Sequence, residues 1–355
     1  MAQCLAGWHA VRRFAVTPPP PDPASWPPVL LLKPLHSDEP LLEQALTTAC
    51  TQDYPSLRIV CGVQDQADTA IAVVERLRTR FPNLTLVIDP TPHGPNPKIA
   101  NLINMRAAIP PQADEIVVIA DSDIHAAPDL LRRVVATLAQ PGIGLVTTLY
   151  TGLPAHPGIV PRLGATAISH TFLPGALLAR AMGRQDCLGA TMAMRAETLS
   201  DIGGLPALSA HLADDNELGR LVLARGLSVA LATTVPATTV AATTISELLS
   251  HELRWARTIR ALVPAAFALS AIQHPIAWAL LAFALSPSAA TAALFALAWT
   301  TRALAARGID RALSLPPATP ALLSLRDLLS LALVPAAFAG SRVRWRGAKL
   351  SFPAR

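Results

Sequence analysis

Residues 116–123 read IVVIADSD, five apolar residues that lead directly into two aspartates separated by one serine. A short apolar run rich in β-branched residues predicts a strand buried on both faces, as in a parallel sheet. Ligands of such sheets bind beyond the carboxyl ends of the strands, where Asp121 and Asp123 can converge on one cation. Hard oxygen ligands suit Mg²⁺ or Mn²⁺. The alternative is a turn or a helix cap before Pro128.

The sequence before this stretch alternates between two patterns. Further strands are predicted at three short apolar runs, residues 29–32, Leu57–Val63 and Leu84–Ile88. Helices are predicted where apolar residues recur with helical spacing, in residues 41–50, 70–81 and 99–108. Alternation of strand and helix predicts an α/β domain with a mostly parallel sheet.

The C-terminal part of the chain is strongly apolar. In this sequence of 355 residues, no Asp or Glu occurs between Arg260 and Asp310. Membrane-associated helices are predicted in three apolar stretches, residues 272–285, 289–305 and 322–339. The third contains Arg326 and Asp327, and charges at the centre of a bilayer cost several kcal/mol. That stretch is therefore expected to be re-entrant or interfacial near its start.

These patterns divide the chain into four segments. A juxtamembrane segment with a proline-rich linker covers residues 1–28, and the α/β domain covers residues 29–260. Membrane-associated helices follow in residues 261–340, and a basic tail in residues 341–355. Basic residues beside apolar stretches are typical of the cytoplasmic membrane surface. The alternative for the tail is a solvated basic segment.

Composition narrows the range of partners. The net charge is +5, but the basic residues are dispersed and do not form a stripe with interleaved aromatics. A nucleic-acid partner is therefore not expected. The cysteines are far apart and lack a CxxC spacing, which predicts neither a zinc site nor a disulfide scaffold: Cys4, Cys50, Cys61 and Cys187. This cysteine usage indicates that the α/β domain lies in the reducing cytosol.

Other acidic residues stand at positions where chemistry is expected. Asp65 follows the strand LRIVCGV and could bind a nucleobase or ribose, or cap the next helix, for which Asp68 is the better candidate. Asp214 and Asp215 open a helix in ADDNELGRLVLA. Acids there often complement the helix dipole, yet a carboxylate in this place could also act as a general base.

The segment HELRWART, residues 251–258, lies shortly before the first apolar stretch. Arg254 offers a planar fork for a diphosphate, and Trp255 offers a flat face for a sugar or base. The alternative is an interfacial belt, in which Arg and Trp simply contact the membrane surface.

The ordered series KPLHSDEP, QDYP, GVQDQADTAI, NPKIANLIN, IADSDI, GATMAMR, ADDNELG and HELRW resembles one family. It is similar to the ceramide glucosyltransferase-like group of inverting glycosyltransferases with a GT-A fold. Within that group it looks closest to bacterial glycosyltransferases associated with hopanoid biosynthesis. The resemblance covers nearly the whole chain, from about residue 29 to the tail. It implies a GT-A, Rossmann-like domain followed by C-terminal membrane helices.

The resemblance also implies roles for particular residues. Binding of the nucleotide-sugar is expected of five residues in these motifs: Pro34, Asp65, Lys98, Asp121 and Gly189. Asp121 and Asp123 are expected to hold Mg²⁺ or Mn²⁺. Asp215 is expected to be the base, with Asp214 as its substitute, and Arg254 and Trp255 match the family's RW pair. His251 is a departure, because the family carries Gln or Arg there, and it is included among the catalytic candidates.

The resemblance implies a metal-dependent hexosyltransferase at a bacterial inner membrane, with its catalytic domain facing the cytosol. The expected reaction moves N-acetylglucosamine from UDP-GlcNAc onto a membrane lipid hydroxyl, that of bacteriohopanetetrol in hopanoid biosynthesis. A ceramide-type glucosyltransferase using UDP-glucose is the main alternative. A polysaccharide synthase, a nucleotidyltransferase and a non-catalytic membrane scaffold are further alternatives. Family members usually carry an N-terminal membrane span, and VRRFAV resembles the juncture just after one.

Overall fold

The computed structural model describes residues 1–37 and 39–340, and the backbone of residues 342–345 and 348–351. In this part of the chain the strands are β1 (Val29–Pro34), β2 (Leu57–Val63), β3 (Leu84–Ile88), β4 (Ile116–Ala120), β5 (Ile124–His125), β6 (Ile143–Thr147), β7 (Thr151–Pro154), β8 (Thr191–Arg195), β9 (Ser228–Leu231), β10 (Ala237–Val240), β11 (Arg342–Trp345) and β12 (Ala348–Ser351). Of the predicted basic tail, only the backbone of the last two strands is described, and the rest lies outside the described residues.

The helices of the same residues include the predicted ones. They are α1 (Ala2–Ala15), α2 (Leu42–Cys50), α3 (Ala70–Arg78), α4 (Pro97–Ala107), α5 (Leu130–Leu138), α6 (Ile159–Ala167), α7 (Leu173–Ala181), α8 (Ala196–Asp201), α9 (Asp214–Ala224), α10 (Ile245–Leu262), α11 (Pro264–Leu269), α12 (Pro275–Leu285), α13 (Ala289–Ala312) and α14 (Pro320–Phe338). A π-helical segment, Ile168–Phe172, lies between α6 and α7.

The main sheet confirms the predicted α/β architecture. Among the described residues it has seven strands in the order β3-β2-β1-β4-β8-β6-β9. Neighbouring strands are parallel from β3 through β4, and β6 is parallel to β9. Strand β8 is antiparallel to both of its neighbours. The predicted strands are present, and β1 extends two residues beyond its predicted end to Pro34.

Strand β1 shows why this sheet forms. Val29 and Leu31 belong to one buried apolar cluster, and Leu30 and Leu32 belong to a second. Successive side chains of a strand point to opposite faces, so both faces of the sheet are covered. Helices α2, α3 and α5 contribute to the first cluster, and α4 and α9 to the second. Full burial of each such side chain contributes about 1.5–3 kcal/mol.

The chain forms two compact units. One contains Val16–Thr151 and Ala179–Thr239, and therefore the whole seven-stranded sheet. The other contains Met1–Ala15, Gly152–Leu178 and the described residues from Val240 onward. Helix α10, which carries HELRW, belongs to this second unit together with the apolar helices. The functional division at residues 29–260 and 261–340 stays a prediction.

The second unit has helices that are suited to a membrane. Among the described residues, α13 and α14 are each long and apolar enough to cross one. Helix α12 occupies the first predicted apolar stretch, and the segment before it, Pro264–Gln273, is bent against it by 67°. This bent pair has the form of a broken span or a re-entrant loop. The predicted membrane-associated helices are thus present as two candidate spans, or three with the bent pair.

The charges of α14 are neutralised inside the second unit. Arg326 makes two hydrogen bonds to Glu252 of α10, of 2.7 and 2.9 Å. Asp327 accepts one from Arg302 of α13 at 3.2 Å. The cost of charge burial that motivated the re-entrant prediction is therefore offset by partners, and α14 is one continuous helix. The membrane depth of its start stays a prediction.

Arg302→Gln should lower the free energy of unfolding by about 3–5 kcal/mol, because Asp327 would stay buried without its guanidinium partner. The matched control is Arg311→Gln, which makes the same change at an exposed position of the same helix. Its effect should stay within about 0.5 kcal/mol. Denaturant unfolding in detergent micelles measures both variants. Equal stability of the two would show that the buried pair is dispensable.

Candidate active site

The aspartates of IVVIADSD lie at the carboxyl end of β4 and are held by two other strands. The Asp121 amide donates to the Ala190 carbonyl, just before β8, at 3.1 Å. The hydroxyl of Thr238 in β10 donates to the Asp123 carboxylate at 2.5 Å. The Asp123 carbonyl accepts from the Thr239 amide at 3.2 Å. The backbone that carries both carboxylates is therefore fixed by hydrogen bonds, which would not be expected of a free turn.

Lys33 supports the same turn from within the sheet. Its ammonium donates to the Asp121 carbonyl at 2.7 Å, and the residue is 1% exposed. Burial lowers the pKa of Lys33, and the neighbouring Cys61 and Asp123 counteract that effect in part. A buried ammonium needs hydrogen-bond partners, and here the main chain of the aspartate pair supplies one.

Lys98 joins the first pair of acids to the second. Its ammonium lies 2.7 Å from Asp121 Oδ1 and 3.7 Å from Asp214 Oδ2. Burial disfavours the charged ammonium, but the carboxylates of Asp121 and Asp214 outweigh it and raise the pKa of Lys98. The predicted donor-site residues Lys98 and Asp121 are thus in direct contact.

The local sequence NPK explains the position of Lys98. Asn96 caps helix α4, because its side-chain oxygen accepts from the amides of Lys98 and Ile99, and Pro97 follows at the first helical position. The Asn96 amide group donates to the His211 carbonyl at 2.7 Å and lies 3.5 Å from Asp214 Oδ1. The same cap therefore connects the start of α4 to the residues at the start of α9.

Asp214 and Asp215 occupy the first turn of α9, as predicted. Burial, and then the charge of Asp214, raise the pKa of Asp215 to about 6. Gly189 leaves room for this carboxylate, since a Cβ added there would lie 3.0 Å from Asp215 Oδ2. The structure thus brings five predicted residues into one group, which we call the acidic cluster. Its members are one lysine and four aspartates: Lys98, Asp121, Asp123, Asp214 and Asp215.

Two carboxylates of the acidic cluster, those of Asp121 and Asp123, are candidate ligands for a divalent cation. Burial, and then the charge of Asp121, raise the pKa of Asp123 to about 7, so a cation beside it would favour its ionised form. Among the described residues, no group of three His, Cys, Asp or Glu side chains is arranged to hold a metal. Two carboxylates do suit a cation that takes its other ligands from substrate phosphates and water, as Mg²⁺ commonly does. Asp121 and Asp123 fit such a site.

Two predicted donor-site residues lie at neighbouring strand ends without joining the cluster. Asp65 follows β2, and its carboxylate accepts from the Ala67 amide at 2.9 Å. Pro34 ends β1 and is paired with Gly62 of β2. Asp68 accepts from the Ala70 amide at the start of α3 at 2.8 Å, as expected of a capping side chain, although the N-cap residue itself is Thr69. A nucleotide contact of Asp65 or Pro34 stays a prediction.

The residues of HELRW lie on α10 in the second unit. This helix begins with a capping box between Thr244 and Glu247. The rings of His251 and Trp255, one turn apart, have centroids separated by 4.4 Å. Desolvation of the ring, and then the charge of Arg254, lower the pKa of His251, although the residue as a whole is exposed. The catalytic roles assigned to these residues stay predictions.

The sequence interpretation missed Tyr150, which follows β6. Burial, and then the charges of Asp215, Asp121 and Asp123, raise the pKa of this phenol. The negative charge of the acidic cluster therefore acts on the Tyr150 hydroxyl and disfavours its ionisation. The signal that could have identified Tyr150 is its place just beyond a buried strand, but only four strands were predicted. Lys33 and Thr238 were missed because their contacts are long-range. Asn96 was missed although its position before Pro97 is a local signal of a helix cap.

Comparison with solved structures identifies the fold. The mannosyltransferase PcManGT from Pyrobaculum calidifontis, solved in complex with GDP-Man and Mn²⁺, matches over 95% of this chain and 94% of that chain. The TM-score is 0.56 and the sequence identity is 21%. This similarity shows an α/β, GT-A-like fold.

Two curated relatives are ceramide glucosyltransferases. Ceramide glucosyltransferase 1 of Caenorhabditis elegans is 26% identical over 254 residues, covering 69% of this chain and 52% of the relative. The ceramide glucosyltransferase of Komagataella phaffii is 28% identical over 184 residues, covering 47% of this chain and 35% of the relative. The chain thus spans about half the length of the first relative and about a third of the second.

A family model covers almost the entire chain. Its match extends over residues 1–353, so the protein belongs to glycosyl transferase family 21.

Proposed function

We propose that this glycosyltransferase moves a sugar from a nucleoside diphosphate donor onto a hydroxyl group of a membrane lipid. The observation that carries the proposal is the acidic cluster at the carboxyl ends of the sheet strands. Such a cluster supplies carboxylates both for a cation and for proton removal. Membership of glycosyl transferase family 21 and the apolar helices α13 and α14 support a lipid acceptor.

In the proposed mechanism, Asp215 takes the proton from the acceptor hydroxyl. That oxygen then attacks the anomeric carbon, and the bond to the nucleoside diphosphate breaks with inversion of configuration. The pKa of about 6 supports this role, because the carboxylate is ionised at pH 7 yet more basic than an ordinary aspartate. Asp214, beside it, is the substitute base. Gly189 keeps space beside the Asp215 carboxylate.

Charge on the departing diphosphate also has to be stabilised. Asp121 and Asp123 would hold Mg²⁺ or Mn²⁺, which would supply positive charge for the leaving phosphates. Lys98 is held beside Asp121 by a contact of 2.7 Å and adds a fixed positive charge. Arg254 would contribute a planar guanidinium to a diphosphate, and Trp255 a flat face to a sugar or base. The complex of PcManGT with GDP-Man and Mn²⁺ is consistent with this combination.

Two pairs of donor and acceptor are proposed. Transfer of glucose from UDP-glucose onto ceramide is supported by the names of the curated relatives. Transfer of N-acetylglucosamine from UDP-GlcNAc onto bacteriohopanetetrol at a bacterial inner membrane, with the catalytic domain in the cytosol, rests on the motif resemblance. Two or three candidate spans among the described residues favour a lipid acceptor over a polymer channel. The two carboxylates at the start of α9, Asp214 and Asp215, favour an enzyme over a scaffold.

Membranes that contain the protein, offered UDP-GlcNAc or UDP-glucose with either lipid acceptor, should form one glycosylated lipid. Mass spectrometry of the lipid fraction identifies the product. Treatment with EDTA should abolish its formation, and added Mn²⁺ or Mg²⁺ should restore it, because Asp121 and Asp123 would lose their cation. Absence of product with every pair would refute the lipid acceptor. Full activity in EDTA would refute the metal role.

Asp215→Asn should reduce kcat by about 10²–10⁴-fold, which is the usual contribution of a general base. UDP binding, measured by calorimetry, should be retained, because the change removes only the proton acceptor. The matched control is Asp214→Asn, which makes the same change at the adjacent residue and should reduce kcat less than tenfold. A reversed order of the two effects would assign the base to Asp214.

The rate should depend on pH through Asp215. Its raised pKa means that the carboxyl group is protonated below about pH 6 and ionised above it. Only the ionised form accepts a proton, so kcat/KM should fall about tenfold per pH unit below pH 6. Asp214→Asn should move this step to lower pH, because the charge of Asp214 contributes to the raised pKa. A flat profile between pH 5 and pH 8 would contradict the base assignment.

A further inference from the structure

The HELRW motif contains an acid that the proposed mechanism does not use. Glu252, between His251 and Leu253, is 9% exposed, although it is charged and lies on a helix with a polar face. Both of its carboxylate oxygens accept from Arg326 of α14, at 2.7 and 2.9 Å. Arg326 is 1% exposed, so the contact between the two side chains is buried.

This ion pair defines the inward face of α10. Leu248 and Ala256, one turn before and one turn after Glu252, are also buried. An α-helix advances by about 100° per residue, which places His251, Trp255 and Arg254 between about 60° and 160° around the axis from Glu252. Arg254 and His251 therefore lie on other faces of the helix than the buried stripe, and the half-buried Trp255 lies at its edge.

Geometry makes this contact a strong constraint on rotation of α10. Two parallel hydrogen bonds between a guanidinium and a carboxylate require one relative orientation of the two planes. A rotation of the helix by one residue would break both bonds and leave two buried charges without partners. Apolar contacts such as those of Leu248 are less directional, since apolar burial has no preferred angle.

Arg326 is itself held in place. Its Nε donates to the Ser330 hydroxyl at 3.0 Å. The adjacent Asp327 accepts from Arg302 of α13, and Arg302 also donates to the His170 carbonyl at 2.7 Å. Helix α14 is thus fixed to α13 by the residue next to the one that holds α10. Arg326 therefore has a defined position, and through Glu252 it restricts the position of the HELRW segment.

We propose that Glu252 and Arg326 are positioning residues, which fix the rotational setting of α10 and thereby orient Arg254 and Trp255 for the transfer reaction. This inference rests on the proposed function, in which those two residues act on the departing diphosphate and the sugar. An ion pair that only stabilises the fold would affect unfolding without a specific effect on turnover. The distinction between the two roles lies in kcat.

Glu252→Gln tests the proposal, because it keeps the size of the side chain and removes its charge. We expect kcat to fall at least tenfold, with KM for the nucleotide-sugar changed by less than threefold, since a misdirected Arg254 would weaken transition-state stabilisation more than donor binding. The matched control is Asp310→Asn, which removes the charge of another buried carboxylate of the same unit, paired at 2.7 Å with His170. That control should lower the melting temperature comparably while kcat stays within twofold.

The exchanged pair Glu252→Arg with Arg326→Glu supplies the rescue experiment. It restores opposite charges at the same two positions and should recover at least a third of the wild-type kcat. Recovery of the melting temperature without recovery of kcat would overturn the positioning role, as would an equal loss of kcat in Glu252→Gln and Asp310→Asn.

Failure of the proposed function would be seen separately, as absence of wild-type product with every donor and acceptor. The rate of amide hydrogen exchange in residues 245–262 then still tests whether the Glu252–Arg326 ion pair restrains α10. Faster exchange in Glu252→Gln than in Asp310→Asn supports the constraint on α10, and equal exchange overturns it.

Discussion

Four carboxylates held close together in a partly buried space impose the main constraint on this structure. Asp121 and Asp123 come from the end of β4, and Asp214 and Asp215 from the start of α9. Burial, and then repulsion between neighbouring carboxylates, raise the pKa values of Asp123 and Asp215. Lys98 offsets part of that repulsion, and its place depends on the Asn96 cap of α4. The end of β4, the start of α4 and the start of α9 are thus linked, because the charge of Lys98 has to lie beside these carboxylates.

Local patterns were sufficient to predict much of this arrangement. The strands that precede the aspartates are apolar on both faces, and such runs are recognisable without knowledge of their neighbours. The helix at Asp214 was equally recognisable. The antiparallel strand β8 was not predicted, although it lies between β4 and β6. Its run TMAMR is short and ambiguous, and only pairing with a strand far away in sequence makes it a strand.

The charges in α14 illustrate the other limit of local interpretation. Sequence alone assigns a cost to Arg326 and Asp327 in an apolar run, and that physical premise is sound. Their partners, Glu252 and Arg302, are 74 and 25 residues away along the chain. Hydropathy does not reveal such pairs, because it treats every charge as unpaired. The same reason explains why the sequence indicated Lys98 only by resemblance.

The balance of charge in the acidic cluster argues for a cation independently of any similarity. With all four acids ionised, Lys98 and Lys33 leave an excess of negative charge at this end of the sheet, and Glu39 adds to it. A diphosphate is itself an anion, and like charges a few ångströms apart repel each other strongly where water is excluded. A nucleoside diphosphate bound at this cluster would therefore need further positive charge beside it. A divalent cation at Asp121 and Asp123 would supply that charge, and it would favour the ionised form of Asp123 as well.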